Sequence, residues 1–327
     1  MSKILITGAT GFIATPLIRA LREQGHILSG TTRKTGVFSG TNGIPLHKVP
    51  EISENTDWSN IISGAEVVIH LAARVHIMKD QSRNPIEAFR RVNTLGTKSL
   101  ALQAANAGIK RFIFLSTVKV AGETSPIDGF KESGPISPND PYSISKYEAE
   151  QELLKIAQSS SMEVVIIRPP LVYGPNVKGN FLSLLKLAKR NYPLPLNSIN
   201  NKRSLIFVDN LTDAIAKAVE HPKAANKIFF LSDEENLSTT ELINKISTAF
   251  GSKARIFNVP QKYLDLFGKI TGNTEIVKRL TQTLTVNSTR IKSDLNWSPP
   301  FQSDDGIEKT VNWYNTSLLK KHNPDRQ

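Results

Sequence analysis

Short apolar runs alternate with longer amphipathic segments along the chain up to residue 231. The first run, at residues 4–6, holds no polar side chain, which is typical of a strand buried on both faces. The runs that predict strands lie at 4–6, 27–32, 45–49, 66–73, 111–116, 163–167, 203–210 and 227–231. The segments that predict helices lie at 12–21, 85–107, 142–159 and 211–220. This alternation predicts right-handed crossovers between the strands of a parallel sheet.

The last part of the chain has a different pattern. Beyond residue 232 the periodicity becomes mostly helical. Segment 168–175, Arg-Pro-Pro-Leu-Val-Tyr-Gly-Pro, is rich in proline, and we expect no regular structure there. We predict a first domain at 1–170, to which residues 203–232 return, and a second domain at 171–327.

A glycine turn follows the first strand. Gly8 permits a tight turn, and Gly11 lets the backbone approach a pyrophosphate because no Cβ stands in the way. Ala14 is small enough for the next helix to pack close to the strand. The first N–H groups of that helix would point at an anion. Two glycines three apart also occur in ordinary turns, but between a strand and a helix they indicate a dinucleotide site.

The ends of the predicted strands should gather at one edge of the sheet. Ligands of such sheets lie beyond the carboxyl ends of the strands. The segments that we expect to be neighbours there are 8–11, 31–33, 72–74 and 116–117. The elements together predict an α/β fold, namely a Rossmann-type doubly wound parallel sheet with a smaller, mostly helical C-terminal domain.

The end of the second strand bears on the choice of cofactor. A free ribose 2′-hydroxyl usually meets an acidic residue about 20 positions past the glycine turn. Here the strand ends Thr31-Thr32-Arg33-Lys34, without an acid. Arg33, with Thr32 and Lys34, can hold a 2′-phosphate by charge-assisted hydrogen bonds. This favours NADP(H), although Arg33 can also stack on the adenine of NAD(H).

Tyr142 and Lys146 are candidates for acid–base chemistry. They are four residues apart, so a helix presents both side chains on one face. We expect the ammonium to lower the pKa of the phenol, which could then exchange a proton with an alcohol or a carbonyl group. The spacing alone is weak, but Ser116 and Thr117 supply hydroxyls at a strand end. Asn93 is a poor interior helix residue unless its amide has a partner.

Composition excludes several classes of site. Cysteine is absent, so the chain has no disulfide, thiolate metal site or cysteine nucleophile. The six histidines form no i, i+4 pair and no cluster with carboxylates, and we expect no metal. No apolar run approaches the roughly 20 residues of a membrane span. No secretory signal is recognisable, so we expect a cytoplasmic protein without stable membrane insertion.

The chain is strongly basic. A net charge of +12 and a pI near 9.7 suggest polyanionic partners. Basic residues are nevertheless scattered, and aromatic residues make up only 7% of the chain without interleaving with them. We therefore expect no nucleic acid partner. A nucleotide cofactor and a nucleotide-linked substrate would account for part of the charge.

Several motifs together resemble the extended short-chain dehydrogenase/reductase family, over nearly the whole chain. They are Thr-Gly-Ala-Thr-Gly-Phe-Ile (7–13), His-Leu-Ala-Ala (70–73), Asn93, Leu-Ser-Thr (115–117), Pro-Tyr-Ser-Ile-Ser-Lys (141–146), Arg-Pro-Pro-Leu-Val-Tyr-Gly-Pro (168–175) and Arg-Ser-Leu-Ile-Phe-Val-Asp-Asn (203–210). The resemblance implies an enzyme that binds NAD(P) in its first domain and substrate in its second.

The resemblance also implies roles for individual residues. Tyr142 would be the acid–base residue, Lys146 would bind the nicotinamide ribose and tune Tyr142, Thr117 would orient the substrate oxygen and Asn93 would steady the site. The positions implied to contact the cofactor are Gly8, Thr10, Gly11, Phe12, Ile13, Thr32, Arg33, Leu71, Ala72, Ala73, Ser116, Tyr142, Lys146 and Pro169. Those implied to grip a nucleotide-sugar diphosphate are Asn180, Arg203 and Arg279, although Arg203 also fits an ordinary surface arginine.

Within the family, the chain looks most like nucleotide-sugar 4-epimerases and 4-keto-sugar reductases of surface-polysaccharide synthesis. Segments 112–123, 279–280 and 297–299 resemble the group that makes UDP-N-acetyl-quinovosamine-type sugars. Our leading hypothesis is reduction of a UDP-4-keto-6-deoxy-N-acetylhexosamine. The alternatives are a 4-epimerase of UDP-glucose or UDP-N-acetylglucosamine with tightly bound NAD, and a non-catalytic dinucleotide sensor. The resemblance implies a homodimer formed by the helices that carry Asn93 and Tyr142.

Overall fold

The computed structural model describes residues 1–33, 43–75 and 84–322. The strands are β1 Lys3–Thr7, β2 Ile27–Thr32, β3 Leu46–Lys48, β4 Val67–His70, β5 Arg111–Leu115, β6 Glu163–Arg168, β7 Leu171–Tyr173, β8 Arg203–Phe207, β9 Lys227–Phe230 and β10 Asn236–Leu237. The α-helices are α1 Ala14–Glu23, α2 Ser59–Ile62, α3 Pro85–Phe89, α4 Gly96–Asn106, α5 Pro141–Ser159, α6 Gly179–Arg190, α7 Val208–Glu220, α8 Thr239–Ala249, α9 Gln261–Ile270, α10 Thr274–Thr281, α11 Thr289–Leu295 and α12 Ser303–His322.

Seven strands form the main sheet, in the order β3-β2-β1-β4-β5-β6-β9. Every neighbouring pair is parallel, for example with Leu5 opposite Ser29 on one side and Val68 on the other. The chain runs outward from β1 to β3 and then crosses back to β4. The strand order therefore reverses between β1 and β4, which is where sheets of this kind bind ligands. The predicted Rossmann-type fold is confirmed.

Two apolar cores cover the two faces of this sheet. One core joins alternate residues of the strands to α1 and α7, including Ile4, Leu17 and Ile215. The other joins the opposite residues to α4 and α5, including Leu5 and Leu153. Because side chains alternate between the faces of a strand, the uninterrupted apolar runs serve both cores.

The predicted helix 85–107 is continuous but irregular. Between α3 and α4 the residues Arg90–Leu95 form a π-helical turn, in which Asn93 and Thr94 are buried. The helical segment ends at Asn106, and Gly108 follows at φ +77°, a left-handed conformation suited to glycine. π-helical turns occur frequently at functional sites.

The expectation of no regular structure in 168–175 is wrong. Arg168 completes β6, and Leu171–Tyr173 form β7 after the two prolines, which have no N–H to donate. β7 pairs in parallel with β8, and β10 pairs with β8 on its other side, giving a separate three-stranded sheet. The tertiary pairing with β8 stabilises a strand that the local sequence disfavours.

The segment 203–232 divides between the two sheets. β8 belongs to the three-stranded sheet, whereas α7 packs on α1 and β9 forms an edge of the main sheet. α7 begins at Val208, three residues before the predicted start. The division into domains at residue 170 stays a prediction. None of the helices in the described ranges is long and apolar enough to cross a membrane.

Candidate active site

The glycine turn after β1 forms a cradle of exposed backbone. Gly8 has φ +69°, and a Cβ there would lie 3.1 Å from the backbone of Ala72. The N–H of Gly11 donates to the carbonyl of Gly8 at 2.9 Å. The first turn of α1 contains no acidic residue, and no side chain caps it. The N–H groups at its start therefore remain available to an anion.

The remaining cofactor candidates of this loop differ in exposure. Thr10 and Gly11 are exposed, whereas Phe12 and Ile13 are half-buried and pack against the apolar cores. Ala14 is buried, as the close packing of α1 on β1 requires.

The end of β2 approaches the same cradle. Thr31 is buried, and its hydroxyl accepts a hydrogen bond from the N–H of Gly8 at 3.3 Å. Thr32 is buried and Arg33 is exposed, so Arg33 can reach a ligand bound at this edge. Lys34, the other predicted contact, lies outside the described residues.

His70 at the end of β4 links three elements, and the sequence did not single it out as a site residue. Its ring nitrogens lie 2.7 Å from the hydroxyl of Thr7 and 3.0 Å from that of Thr97. The Thr7 hydroxyl also accepts a hydrogen bond from the N–H of Ala72. Burial and the nearby charge of Lys146 lower the pKa of His70 to about 3. A neutral His70 thus fixes the half-buried segment Leu71, Ala72 and Ala73 beside the glycine turn.

Helix α5 carries Tyr142 and Lys146 in its first two turns. Asp140 caps the helix, because its carboxylate accepts from the N–H of Ser143 at 2.8 Å, and Pro141 occupies the first turn. The Tyr142 ring lies edge-on to Phe89, with the ring centroids 6.2 Å apart. The cap fixes the start of α5, and the contact with Phe89 helps to fix the Tyr142 ring.

The expected lowering of the pKa of Tyr142 is wrong for this structure. Burial raises the pKa of Tyr142, and the charge of Asp140 raises it further. Burial also lowers the pKa of Lys146 to about 7, an effect that Glu150 partly opposes. The Lys146 ammonium lies 3.8 Å from the centroid of the Phe114 ring, a cation–π contact. The sequence could not reveal this burial, because it depends on how the whole site packs.

The buried ammonium of Lys146 makes stability depend on pH. Its pKa is lowered from 10.5 to about 7, so between these values the unfolded chain binds a proton that the folded chain has released. Stability then rises with pH across this window, by at most about 1.4 kcal/mol per pH unit. We expect the unfolding free energy of the wild type, relative to a Lys146→Met variant, to rise from pH 7 to pH 9 in urea titrations. A difference that is constant with pH would contradict this.

Asn93 has the partners that a buried amide requires. Its Oδ1 accepts from the N–H of Arg74 at 2.8 Å, and its Nδ2 donates to the Arg74 carbonyl and to the Ser145 hydroxyl, each at 3.0 Å. The expectation of a hydrogen-bonded amide is confirmed. Asn93 thereby connects the segment after β4 to α5, one residue from Lys146.

A buried ion pair that the sequence analysis missed supports the end of β5. Glu150 accepts hydrogen bonds from Nε and Nη2 of Arg168, at 3.0 and 2.6 Å. The Ser116 hydroxyl donates to the same carboxylate at 2.5 Å. Glu150 follows Lys146 by one helical turn, so its position on the Tyr142 face was the available signal. The pair fixes the position of Ser116, whose hydroxyl is occupied by Glu150.

Thr117 follows directly and is buried. Its hydroxyl accepts from the N–H of Lys119 at 3.3 Å. The carbonyl of Pro169 accepts from the N–H of Val118 at 2.9 Å, which ties this turn to the end of β6. The Lys119 ammonium also lies 2.5 Å from Asp140, joining the turn to the start of α5.

The predicted diphosphate residues lie in the second part of the chain. Arg203 is half-buried, and its guanidinium donates to the carbonyls of Arg279 and Gln282 at 2.9 and 3.2 Å. Burial and the charge of Arg279 lower the pKa of Arg203. The structure thus brings Arg203 and Arg279 together, unlike an isolated surface arginine. Asn180 is exposed in the first turn of α6.

A surface pocket of about 490 Å³ lies beside the loop that follows β5. It is lined by the segment from Ala121 to Pro126 and, from the C-terminal part, by Gln282. The ranges that the structure describes contain no group of three histidine, aspartate or glutamate side chains that could hold a metal ion.

Comparison with known proteins identifies the family. The model of the NAD dependent epimerase/dehydratase family matches residues 4–231. A Vibrio cholerae protein named UDP-glucose 4-epimerase is 42% identical over 311 residues, which cover 94% of each chain. The chain belongs to the NAD dependent epimerase/dehydratase family.

Solved structures of proteins with lower sequence identity share the fold of this chain. UDP-glucose 4-epimerase from Thermotoga maritima, solved with UDP-glucose, has a TM-score of 0.78 at 21% identity and covers 97% of this chain and 99% of its own. UDP-glucuronic acid 4-epimerase from Bacillus cereus, solved in complex with NAD, has a TM-score of 0.76 at 21% identity and covers 96% and 99%.

Proposed function

We propose that this chain is an NAD(P)-dependent enzyme that acts at C4 of a UDP-linked sugar. The observation that supports the proposal is the contact between α5, which carries Tyr142 and Lys146, and the carboxyl end of β5, which precedes Thr117. The Lys146 ammonium lies over the ring of Phe114, and Lys119 pairs with Asp140 at the start of α5. Hydride transfer at a carbon that bears oxygen needs a donor or acceptor of the oxygen's proton beside the cofactor.

The residues of the glycine turn fit a dinucleotide. A Cβ on Gly8 would crowd the backbone of Ala72 at 3.1 Å, and the uncapped start of α1 offers N–H groups to a pyrophosphate. Lys146 would hold the nicotinamide ribose, with its ammonium placed over Phe114. When bound, the nicotinamide supplies or accepts the hydride.

Tyr142 would exchange the proton of the C4 oxygen, and Thr117 would orient that oxygen. The raised pKa of Tyr142 keeps its phenol protonated at neutral pH, which is the state that can donate a proton. Asn93 would hold α5 at a fixed distance from the segment that follows β4. Arg203 and Arg279, with Asn180, would bind the diphosphate of the nucleotide sugar.

Net reduction of a UDP-4-keto-6-deoxy-N-acetylhexosamine with NADPH is the reaction that the residues favour. The exposed Arg33, at a strand end without an acid, suits a 2′-phosphate, and NADPH is suited to net reduction. The product would be a precursor for surface polysaccharide, made in the cytoplasm.

A UDP-sugar 4-epimerase is the second candidate, favoured by the 42% identical relative that bears this name. An epimerase keeps one NAD bound and returns the hydride to the other face of the sugar. The same Tyr142, Lys146 and Thr117 would serve both reactions, because each needs proton exchange at the C4 oxygen.

The purified protein can distinguish these reactions directly. We expect NADPH to be oxidised when the 4-keto-6-deoxy derivative of UDP-N-acetylglucosamine is added. The loss of NADPH absorbance measures this oxidation. Interconversion of UDP-N-acetylglucosamine and UDP-N-acetylgalactosamine without added cofactor would instead establish the epimerase. Cofactor binding with no turnover of these substrates or of UDP-glucose would favour a non-catalytic sensor.

The role of Arg33 can be tested separately. An Arg33→Ser variant should bind NADPH roughly tenfold to a hundredfold more weakly, because one charge-assisted hydrogen bond to the 2′-phosphate is lost. The affinity for NADH should change little. Fluorescence titration with both cofactors measures this, with Arg190→Ser, an exposed arginine on α6, as the matched control. Equal weakening for both cofactors would indicate adenine stacking.

We also propose a homodimer formed by the helical segment 85–106 and α5. Leu95 and Leu102 are exposed on the first of these, one on the π-helical turn and one on α4. Burial of these side chains would add to the stability of such an interface.

A further inference from the structure

The outer face of α9 is apolar and exposed. Tyr263, Leu266, Phe267 and Ile270 are between 52% and 76% exposed. Their spacing of i, i+3, i+4 and i+7 places them within about 100° of arc around the helix. Ile276 on α10 is likewise 54% exposed. Contiguous exposed apolar surface of this kind marks a site of interaction.

The opposite face of α9 holds the helix in place. Gly268 is buried and packs closely on α10, since a Cβ there would lie 2.8 Å from the Val277 side chain. Leu264 packs on the small apolar cluster that contains Ile243. The four outer side chains are therefore not needed for packing of the α9–α10 hairpin.

Basic residues outnumber acidic residues in and around α9 and α10. Residues 251–281 contain two acidic residues, Asp265 and Glu275, and six basic residues, Lys253, Arg255, Lys262, Lys269, Lys278 and Arg279. Lys262 and Lys269 flank the arc on one side of α9. The Lys262 ammonium also lies 5.0 Å from the centroid of the Tyr263 ring. An apolar arc bordered by lysines with aromatic side chains is typical of helices that lie in a membrane interface.

We propose that the α9–α10 hairpin docks the protein on an anionic lipid bilayer. The apolar arc would lie at the boundary between headgroups and acyl chains, with the lysines on the lipid phosphates. The net charge of +12 adds long-range attraction to such a surface. A second copy of the chain is disfavoured as the occupant, because it would bring like-charged hairpins together.

Docking of this face would orient the substrate site relative to the bilayer. Arg279 lies in the last turn of α10, and its carbonyl accepts the hydrogen bond from Arg203. The hairpin is thus directly joined to the arginine pair. The docking surface itself does not depend on the reaction catalysed at that site.

Sedimentation of the full chain with vesicles tests the proposal. The probe is phosphatidylcholine containing about 30% phosphatidylglycerol, compared with phosphatidylcholine alone. We expect binding to the anionic vesicles that weakens as salt rises. A Phe267→Ser/Ile270→Ser double variant should bind at least about tenfold more weakly, since two apolar side chains are lost from the interface. In a Lys262→Glu/Lys269→Glu variant the affinity for anionic vesicles should fall by roughly fivefold or more for each positive charge removed.

Matched controls separate the hairpin from general effects. Ile27→Ser and Lys223→Glu change exposed residues elsewhere and should leave vesicle binding unaltered. All variants should retain the thermal midpoint of the wild type, because the altered side chains are exposed. Absence of wild-type binding, or equal binding of wild type and double variant, would overturn the proposal. A molar mass in light scattering that falls in the serine variant would also overturn it, by assigning the face to a second copy.

Discussion

Replacing Tyr142 with phenylalanine should lower kcat by roughly 10²- to 10⁴-fold, the usual contribution of a positioned proton donor. The phenyl ring preserves the edge-on contact with Phe89 and removes only the hydroxyl. Cofactor affinity should stay close to that of the wild type, because the glycine turn and Lys146 are unaltered. Single-turnover kinetics with the competent substrate, together with a cofactor titration, measures both quantities.

Tyr147 provides the matched control for this substitution. It is the next tyrosine on α5 and lies off the face shared by Tyr142 and Lys146. Tyr147→Phe should therefore retain wild-type turnover. Unchanged turnover in Tyr142→Phe would remove this phenol from the mechanism. Loss of cofactor binding in the same variant would instead show that the Tyr142 hydroxyl contributes to cofactor binding.

Replacing Glu150 with alanine should lower the free energy of unfolding by about 3–5 kcal/mol, because the change leaves a buried charge without its partner. Arg168 is almost wholly buried, and among the described residues its Nη1 already has no hydrogen-bond partner. The variant would also release the Ser116 hydroxyl. Urea denaturation at neutral pH measures the loss.

Glu148, two residues earlier on α5, is the matched control. It pairs with Arg90 at the surface, where ion pairs contribute about 0–1 kcal/mol. A Glu148→Ala variant should therefore be little destabilised. Replacing both Glu150 and Arg168 with leucine should recover much of the lost stability, since neither member of the pair is then left as a buried charge without its partner. An equal loss of unfolding free energy in Glu150→Ala and Glu148→Ala would contradict the conclusion that only the Glu150 pair depends on burial.

The main sheet could be predicted because its strands are buried on both faces. Ile4 to Ile6 and Val67 to Ile69 contribute to cores on opposite sides, so their sequences contain no polar position to confuse with a helix. The glycine turn was equally predictable, because φ +69° at Gly8 restricts the residue type. Local constraints of this kind are encoded in a few adjacent residues.

Features that depend on distant partners were not predictable. β7 forms because β8 supplies its hydrogen bonds, although Pro169 and Pro170 precede it. Glu150 and Arg168 pair although they lie 18 positions apart, and no local sequence pattern predicts that either is buried. The raised pKa of Tyr142 has the same origin, because burial depends on the packing of the whole site.

The π-helical turn between α3 and α4 imposes a requirement on chain length. Phe89 contacts Tyr142 before the turn, and Asn93 contacts Ser145 within it. Deleting one residue between them would leave a helix but rotate its first part by about 100° relative to the second. Only one of the two contacts with α5 could then persist. Arg90 and Arg91 are exposed, so other residues could take their places. The number of residues between Phe89 and Asn93 is nevertheless fixed by the contacts that these two residues make with α5.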